Sequence, residues 1–227
     1  MKTFMRHQDL HIPFSQNPKP LLFSRLWFIP QNKKFEEPAF AQFREPDFFG
    51  NTNPLHIEYC SGNGAWICQK ARERPDINFI ACERRLDRAR KIWARLHTMK
   101  LQNLIVAYAE GLTLTKFFIP NASIDAIFIN FPDPWPKRRH ARRRIVNPEF
   151  IAEMARICTQ EAPVTIVTDD PTYSEEILDE MGPPLFQSTL AKPSFTTPPE
   201  SYGGSFFEDL FRKQGKNIRF HQFSKLY

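Results

Sequence analysis

The sequence predicts an α/β fold: an open, mostly parallel sheet with helices packed over it. Three observations predict it. From Leu55 onward, short apolar runs alternate with segments whose apolar residues recur at three- and four-residue spacing, the pattern of strands and covering helices. The first run, residues 55–60, passes through Ser61-Gly62-Asn63-Gly64 into a helical segment, residues 65–74, which Pro75 stops. A strand, a glycine turn and a helix in that order open a nucleotide-binding βαβ unit. Finally, the runs carry or reach acids one after another, at Glu58, Glu83, Glu110, Asp133 and Asp169-Asp170, and open parallel sheets bind ligands beyond the carboxyl ends of their strands.

Residues 1–53 precede this pattern. They are rich in proline and phenylalanine without clear period, and Pro13, Pro18, Pro20, Pro30, Pro38 and Pro46 exclude a long helix. They read as an extension, either packed on the domain or partly mobile, with no chemistry assigned. Residues 54–227 form one domain, since 227 residues at 41% hydrophobic supply a single sizeable core and leave two full domains cramped.

The second strand, residues 78–82, ends at Glu83, nineteen residues beyond Gly64. That is about the spacing at which an acid meets a ribose hydroxyl in such folds. Gly62 and Gly64 alone read equally well as ordinary turn glycines. The acid adds weight to a ligand site, because a buried carboxylate is costly unless it is hydrogen-bonded and a ribose diol brings two donors. Glu58, inside the first strand among Leu55, Ile57 and Tyr59, calls for a cationic or donor partner, which a bound cation beside the glycine turn would provide. Residues 84–100 place Leu86, Ala89, Trp93 and Leu96 on one helical face. The basic residues around them read as solvated surface or, alternatively, as a phosphate-facing side. A third strand, residues 104–109, reaches Glu110 and Gly111.

The apolar run 124–129 then leads into Asn130-Phe-Pro-Asp-Pro-Trp-Pro-Lys-Arg-Arg-His-Ala-Arg-Arg-Arg144. Prolines 132, 134 and 136 exclude helix and ladder pairing and hold Asp133 and Trp135 in a stiff loop. Six Lys or Arg fall within the eight residues 137–144, and the formal net charge of the whole chain is also +6, so the basicity is local. Such a run is either a solvated face or a surface that grips phosphates, and its attachment to a rigid acid and aromatic loop favours the second. Phosphate contacts give affinity and orientation, not base identity. Trp135 is either a stacking platform for a base or a packing anchor for the loop.

Asn147-Pro148 supplies an N-cap and a first-turn proline for a helix to about Thr159. Residues 163–168 form a fifth strand ending at Asp169 and Asp170, and residues 171–181 another helix closed by Gly182-Pro183-Pro184. After weaker strand signals and a Gly203-Gly204 turn, residues 217–227 alternate as a final antiparallel strand.

Cysteines 60, 68, 82 and 158 form no CxxC pair and no zinc spacing. They are expected as reduced, small apolar residues, with no metal. No run approaches the roughly 18 apolar residues of a membrane helix, and the start lacks a signal-peptide core. A soluble, cytoplasmic protein with no membrane partner is expected.

The glycine turn is Cys60-Ser61-Gly62-Asn63-Gly64 with no third glycine two residues on, against a dinucleotide fingerprint. Strand-end acids suit a ligand with a ribose, an exocyclic amine and a cationic end. Glu58 with Gly62-Asn63-Gly64, Glu83, Phe-Pro-Asp133-Pro-Trp-Pro-Lys137 with its Arg/His run, Thr168-Asp169 and Ser205-x-Phe-Glu208 together resemble the bacterial tRNA (guanine-N7)-methyltransferase family, over about residues 55–220. The resemblance implies a Rossmann-like class I methyltransferase with a seven-stranded, mostly parallel sheet. It implies transfer of a methyl group from S-adenosylmethionine to N7 of a guanine in the variable loop of tRNA, by a monomer or homodimer. It also implies roles. Glu58, Gly62, Gly64, Glu83, Glu110 and Asp133 would bind the cofactor, with Asp133 the active-site acid. Lys137, Asp169, Ser205, Phe206, Phe207 and Glu208 would bind substrate, and Arg139, His140, Arg142, Arg143 and Arg144 would contact RNA. Three positions depart from the family pattern: Cys60 stands where glycine is usual, Glu110 where aspartate is, and Ser205 where threonine is.

Two other readings compete. An exocyclic-amine methyltransferase for rRNA or DNA typically places Pro-Pro between its acid and aromatic, whereas one proline separates Asp133 from Trp135. A catalytically silent RNA-binding module on the same fold would have Cys60 as its evidence, and cofactor binding discriminates it.

Overall fold

The computed structural model describes residue 10 and residues 19–136, 138–203 and 205–226. The expected Lys137 contact and Gly204 of the glycine pair therefore lie outside the described residues. The chain divides into two compact units, residues 1–119 and 120–227.

In the first unit the sheet order is β1-β2-β5-β4-β3. Strands β3 (Leu55–Tyr59), β4 (Asn78–Glu83) and β5 (Leu104–Tyr108) are parallel neighbours. They are buried nearly throughout, as a parallel sheet covered by helices requires. Helix α1 (Ala65–Glu73) connects β3 to β4, and α2 (Leu86–Met99) connects β4 to β5, burying Ala89, Ile92, Trp93 and Leu96. Each boundary falls within two residues of the periodicity reading. Helix α3 (Gly111–Phe118) follows β5; its eight residues carry no cap that spacing alone identifies.

The proline- and phenylalanine-rich extension contributes a hairpin, β1 (Leu21–Phe23) and β2 (Leu26–Phe28), and β2 pairs in parallel with β5. Three-residue strands are too short to show a period. Side chains hold this segment down: Trp27 meets Phe43, Phe48 and Phe118 edge-on at 5.1–6.0 Å, a favoured aromatic geometry. Trp93 Nε1 donates to Ser24 O at 2.8 Å.

The second unit orders its strands β6-β7-β9-β8. β6 (Ala126–Asn130) and β7 (Pro163–Thr168) are parallel; β9 (Arg219–Lys225) runs antiparallel to β7 and to β8 (Phe186–Ser188). The strands from Leu55 onward number seven among the described residues, and the N-terminal hairpin adds two. Asn147 caps α4 (Pro148–Ile157) by accepting from Phe150 N, and Asp170 caps α5 (Pro171–Glu180) by accepting from Tyr173 N. Both use a first-turn proline, whose missing N–H no helical partner needs. A 3-10 helix, Arg138–Arg143, carries the basic run, and α6 (Phe206–Lys213) precedes β9.

Candidate active site

In the first unit, three loops gather at the carboxyl ends of the neighbouring strands β3, β4 and β5. The turn after β3 is left-handed three times, at Cys60 (φ +60°), Gly62 (+57°) and Gly64 (+71°). Glycine adopts this region freely; a residue with a Cβ does so at about 1–2 kcal/mol. Cys60 therefore occupies a strained position. Gly64 has a second requirement: a Cβ there would lie 2.8 Å from Cγ1 and 2.9 Å from Cγ2 of Ile92, so its absence lets the start of α1 pack on α2.

Glu83, 3% exposed at the end of β4, accepts from Gly62 N through Oε2 at 2.9 Å and from Arg85 N through Oε1 at 2.8 Å. Burial pushes its carboxyl above the ordinary value, and these backbone donors with the nearby Arg88 charge oppose that rise. Arg84 adds a third backbone donor, and the roughly four lone-pair sites of a carboxylate still leave acceptor capacity for a ligand donor. Glu58 is 2% exposed on β3. Its negative charge reaches Cys68, whose thiol burial has pushed up to about 12 with the Glu58 charge adding to the rise, so that cysteine packs as an inert apolar residue.

Glu110 is differently employed. Its carboxylate caps α3, accepting from Leu112 N at 3.0 Å, Thr113 N at 2.7 Å and Thr113 Oγ1 at 2.8 Å. A ligand at this position would share an acid already committed to a helix end.

In the second unit, the loop after β6 presents Asp133 exposed to solvent. Phe131 (φ +50°) and Trp135 (φ +41°) flank it, both left-handed without being glycine, a strain that persists only where surroundings enforce it. On the first side, Phe131 N donates to Val167 O at 2.8 Å, and its ring lies 5.5 Å from that of Phe211 on α6. On the other side, Arg143 stacks its guanidinium on the Trp135 ring at 4.9 Å, which gives Trp135 a packing contact of its own.

The basic run divides. Arg139, Arg142 and Arg143 are exposed, as phosphate contacts must be, and His140 contributes its backbone to the 3-10 helix. Arg144 is placed differently from its exposed neighbours. Its side chain is 13% exposed, its Nε donates to Pro134 O at 2.7 Å and its Nη2 to Trp135 O at 3.2 Å. Its Nη1 pairs with Glu176, and the guanidinium lies over the Tyr173 ring. Three of its five guanidinium N–H groups are thus engaged by neighbouring residues of the protein.

The remaining expected substrate residues lie in this unit. Asp169, beyond the end of β7, pairs with Lys216, a partner that spacing did not suggest. Ser205 Oγ accepts from Glu208 N at 3.0 Å and caps α6, while Glu208 holds Arg212 one turn on at 2.6 Å. The Ser-x-x-Glu pattern is thus half of a capping box, with the serine proton left for another acceptor. Phe206 is 51% exposed, and Phe207 stacks on Phe211. The Tyr202 hydroxyl donates to Asn130 Oδ1 at 2.6 Å, across 72 residues of sequence, and no local signal announces such a pair.

Among the described residues no group of three or more His, Cys, Asp or Glu could hold a metal ion, and no helix is long and apolar enough to cross a membrane.

The fold is that of Rossmann-like class I methyltransferases. A 16S rRNA methyltransferase, KamB, superposes with a TM-score of 0.61 at 15% identity, covering 87% of this chain and 98% of that one. An antibiotic-related methyltransferase gives 0.58 at 19%, covering 78% and 89%. A family described as "Putative methyltransferase" matches residues 52–220. The tRNA (guanine-N(7)-)-methyltransferase of Chlamydia caviae is 35% identical over 222 residues, 97% of this chain and 98% of that protein. That of Streptococcus pneumoniae is 32% identical over 133 residues, 59% and 63%. With its strand-end acids, its Pro-Asp-Pro-Trp loop and this near-full-length likeness, the chain belongs to the tRNA (guanine-N(7)-)-methyltransferase family.

Proposed function

We infer that the protein methylates N7 of a guanine in the variable loop of tRNA, with S-adenosylmethionine as methyl donor. The observation that carries this reading is the 35% identity over 97% of the chain to a relative of that name. The donor set of the first unit fits the cofactor. Glu83 keeps acceptor capacity for a ribose diol beside two backbone N–H groups, and Glu58 puts a buried carboxylate in the strand before the glycine turn. When bound, S-adenosylmethionine supplies a methyl group on a sulfonium, an electrophile that needs no further activation.

The protein's part is binding and alignment. N7 of guanine has an in-plane lone pair and no proton, so no strong base is required. Close, aligned reactants lower the barrier by about 7–11 kcal/mol. Asp133, exposed on its loop, holds the guanine by accepting from ring N1–H and the exocyclic amine. Its charge stabilises the positive charge that methylation leaves on the purine. Asp169 and the Ser205 hydroxyl assist in holding the substrate, as does Lys137. Exposed Arg139, Arg142 and Arg143 grip tRNA phosphates, with affinity falling roughly 0.7–0.9 log units per log unit of salt for each contact.

The test incubates protein, labelled S-adenosylmethionine and unmodified tRNA transcripts, then maps label by chain cleavage at N7-methylguanosine. Label at a variable-loop guanine is expected. Label on an exocyclic amine would move the protein to another methyltransferase class, and absence of transfer despite cofactor and tRNA binding would end the reading.

A further inference from the structure

We propose that Arg144 is a positioning residue that sets the geometry of the Asp133 loop from helix α5. The inference deepens the function proposed above and rests on it for its rate measurement. Three of the six residues 131–136 are proline and have no N–H, so the segment has few bonds of its own with which to hold a shape. Asp133 stands between two left-handed residues, Phe131 and Trp135, whose backbone bounds the segment that carries it.

Arg144 reaches this backbone twice, through Nε to Pro134 O (2.7 Å) and Nη2 to Trp135 O (3.2 Å). The far side of the same guanidinium pairs with Glu176 and lies 5.4 Å from the ring centre of Tyr173. Both partners belong to α5. Tyr173 is 2% exposed, and Val146 N donates to its hydroxyl at 3.4 Å, so the clamp has a fixed base. The planar fork matches three acceptors at once, which a lysine ammonium on a flexible stem cannot reproduce.

Arg144→Lys keeps the charge and removes the fork. The expected result is a fall in kcat for tRNA methylation of about 10- to 100-fold, with tRNA Kd and its salt dependence unchanged. Glu176→Gln, which leaves both carbonyl bonds, should lose less. In protein labelled with 5-fluorotryptophan, the Trp135 fluorine resonance, identified by its loss in Trp135→Phe, should move in Arg144→Lys while those of Trp27, Trp66 and Trp93 stay. If Arg144→Lys disturbs all four, the fold has suffered, and a selective movement of Trp135 in Glu176→Gln decides the matter. A salt slope reduced by about one phosphate contact, roughly 0.7–0.9, with kcat and the Trp135 signal unchanged would overturn the proposal and make Arg144 an RNA contact. If the parent protein transfers no methyl group, the function above fails. The Trp135 resonance then decides the clamp alone, movement supporting it and an unmoved signal ending it.

Discussion

Glu83 and Asp133 carry the same functional group at the carboxyl ends of parallel strands, one as the last residue of β4 and the other in the loop after β6, and the structure holds them in opposite ways. Glu83 is buried, and each of its oxygens accepts a main-chain N–H, from Gly62 and Arg85. Asp133 is exposed, and its loop is shaped from outside by the Phe131 and Phe211 rings and the Arg144 fork. The first arrangement makes an acid part of the turn it supports. The second leaves an acid bare, with strain in the neighbouring backbone and other side chains enforcing it. The oxygens of Glu83 share their hydrogen bonds with the fold, whereas Asp133 stands exposed.

The largest expected effect tests the bare acid. Asp133→Ala should lower methyl transfer by about 100-fold or more with the thermal unfolding midpoint unchanged, because the side chain is exposed. A near-normal rate would remove Asp133 from the chemistry and dissolve the contrast. Next comes the turn that Glu83 supports. Gly64→Ala sets a Cβ against Ile92 at a positive φ and should destabilise the fold by about 2–4 kcal/mol, overpacking and left-handed strain together. Unchanged urea unfolding would mean that α1 and α2 can move apart there.

A smaller effect of opposite sign is expected at the same turn. Cys60→Gly relieves left-handed strain of about 1–2 kcal/mol, offset in part by the larger entropy of glycine in the unfolded chain, for a net gain of about 1 kcal/mol. A loss of stability in urea unfolding would show that the contacts of the Cys60 side chain outweigh its strain.

The subtlest test is of pH. Burial raises the Glu83 carboxyl above its ordinary value of 4.5, so the folded state holds that proton more tightly than the unfolded chain. The stability this contributes is fully present below the unfolded value and is lost as pH rises through the folded one. The difference in unfolding free energy between the parent protein and Glu83→Gln should therefore fall as pH rises through this window. A flat difference would mean that the Gly62 and Arg85 donors cancel the effect of burial.

Much of the α/β core was legible because its signals are local. Alternating apolar runs mark β3 through β7, and Asn147 and Pro171 mark the starts of α4 and α5. The short strands β1, β2 and β8 lack the length to show a period, and α3 and α6 are single eight-residue helices. The site divides the same way. Its acids and glycines were visible as residues in a pattern, but their hydrogen-bond partners were not. Glu110 looked like the other strand-end acids and caps a helix. Arg144 looked like its basic neighbours and points inward. Asp169 is answered by Lys216, 47 residues on.

The sequence by itself determined the alternation of strands and helices, the place of the acids at strand ends, the stiff proline loop and the local basic charge, because each depends on periodicity or on the covalent limits of glycine and proline. The tertiary structure decided which acids are spoken for, which arginine is a clamp and which are exposed, and where the N-terminal segment adds its strand. Those outcomes depend on contacts between residues tens of positions apart, whose free energy is set by burial and hydrogen-bond geometry and leaves no mark on the local pattern.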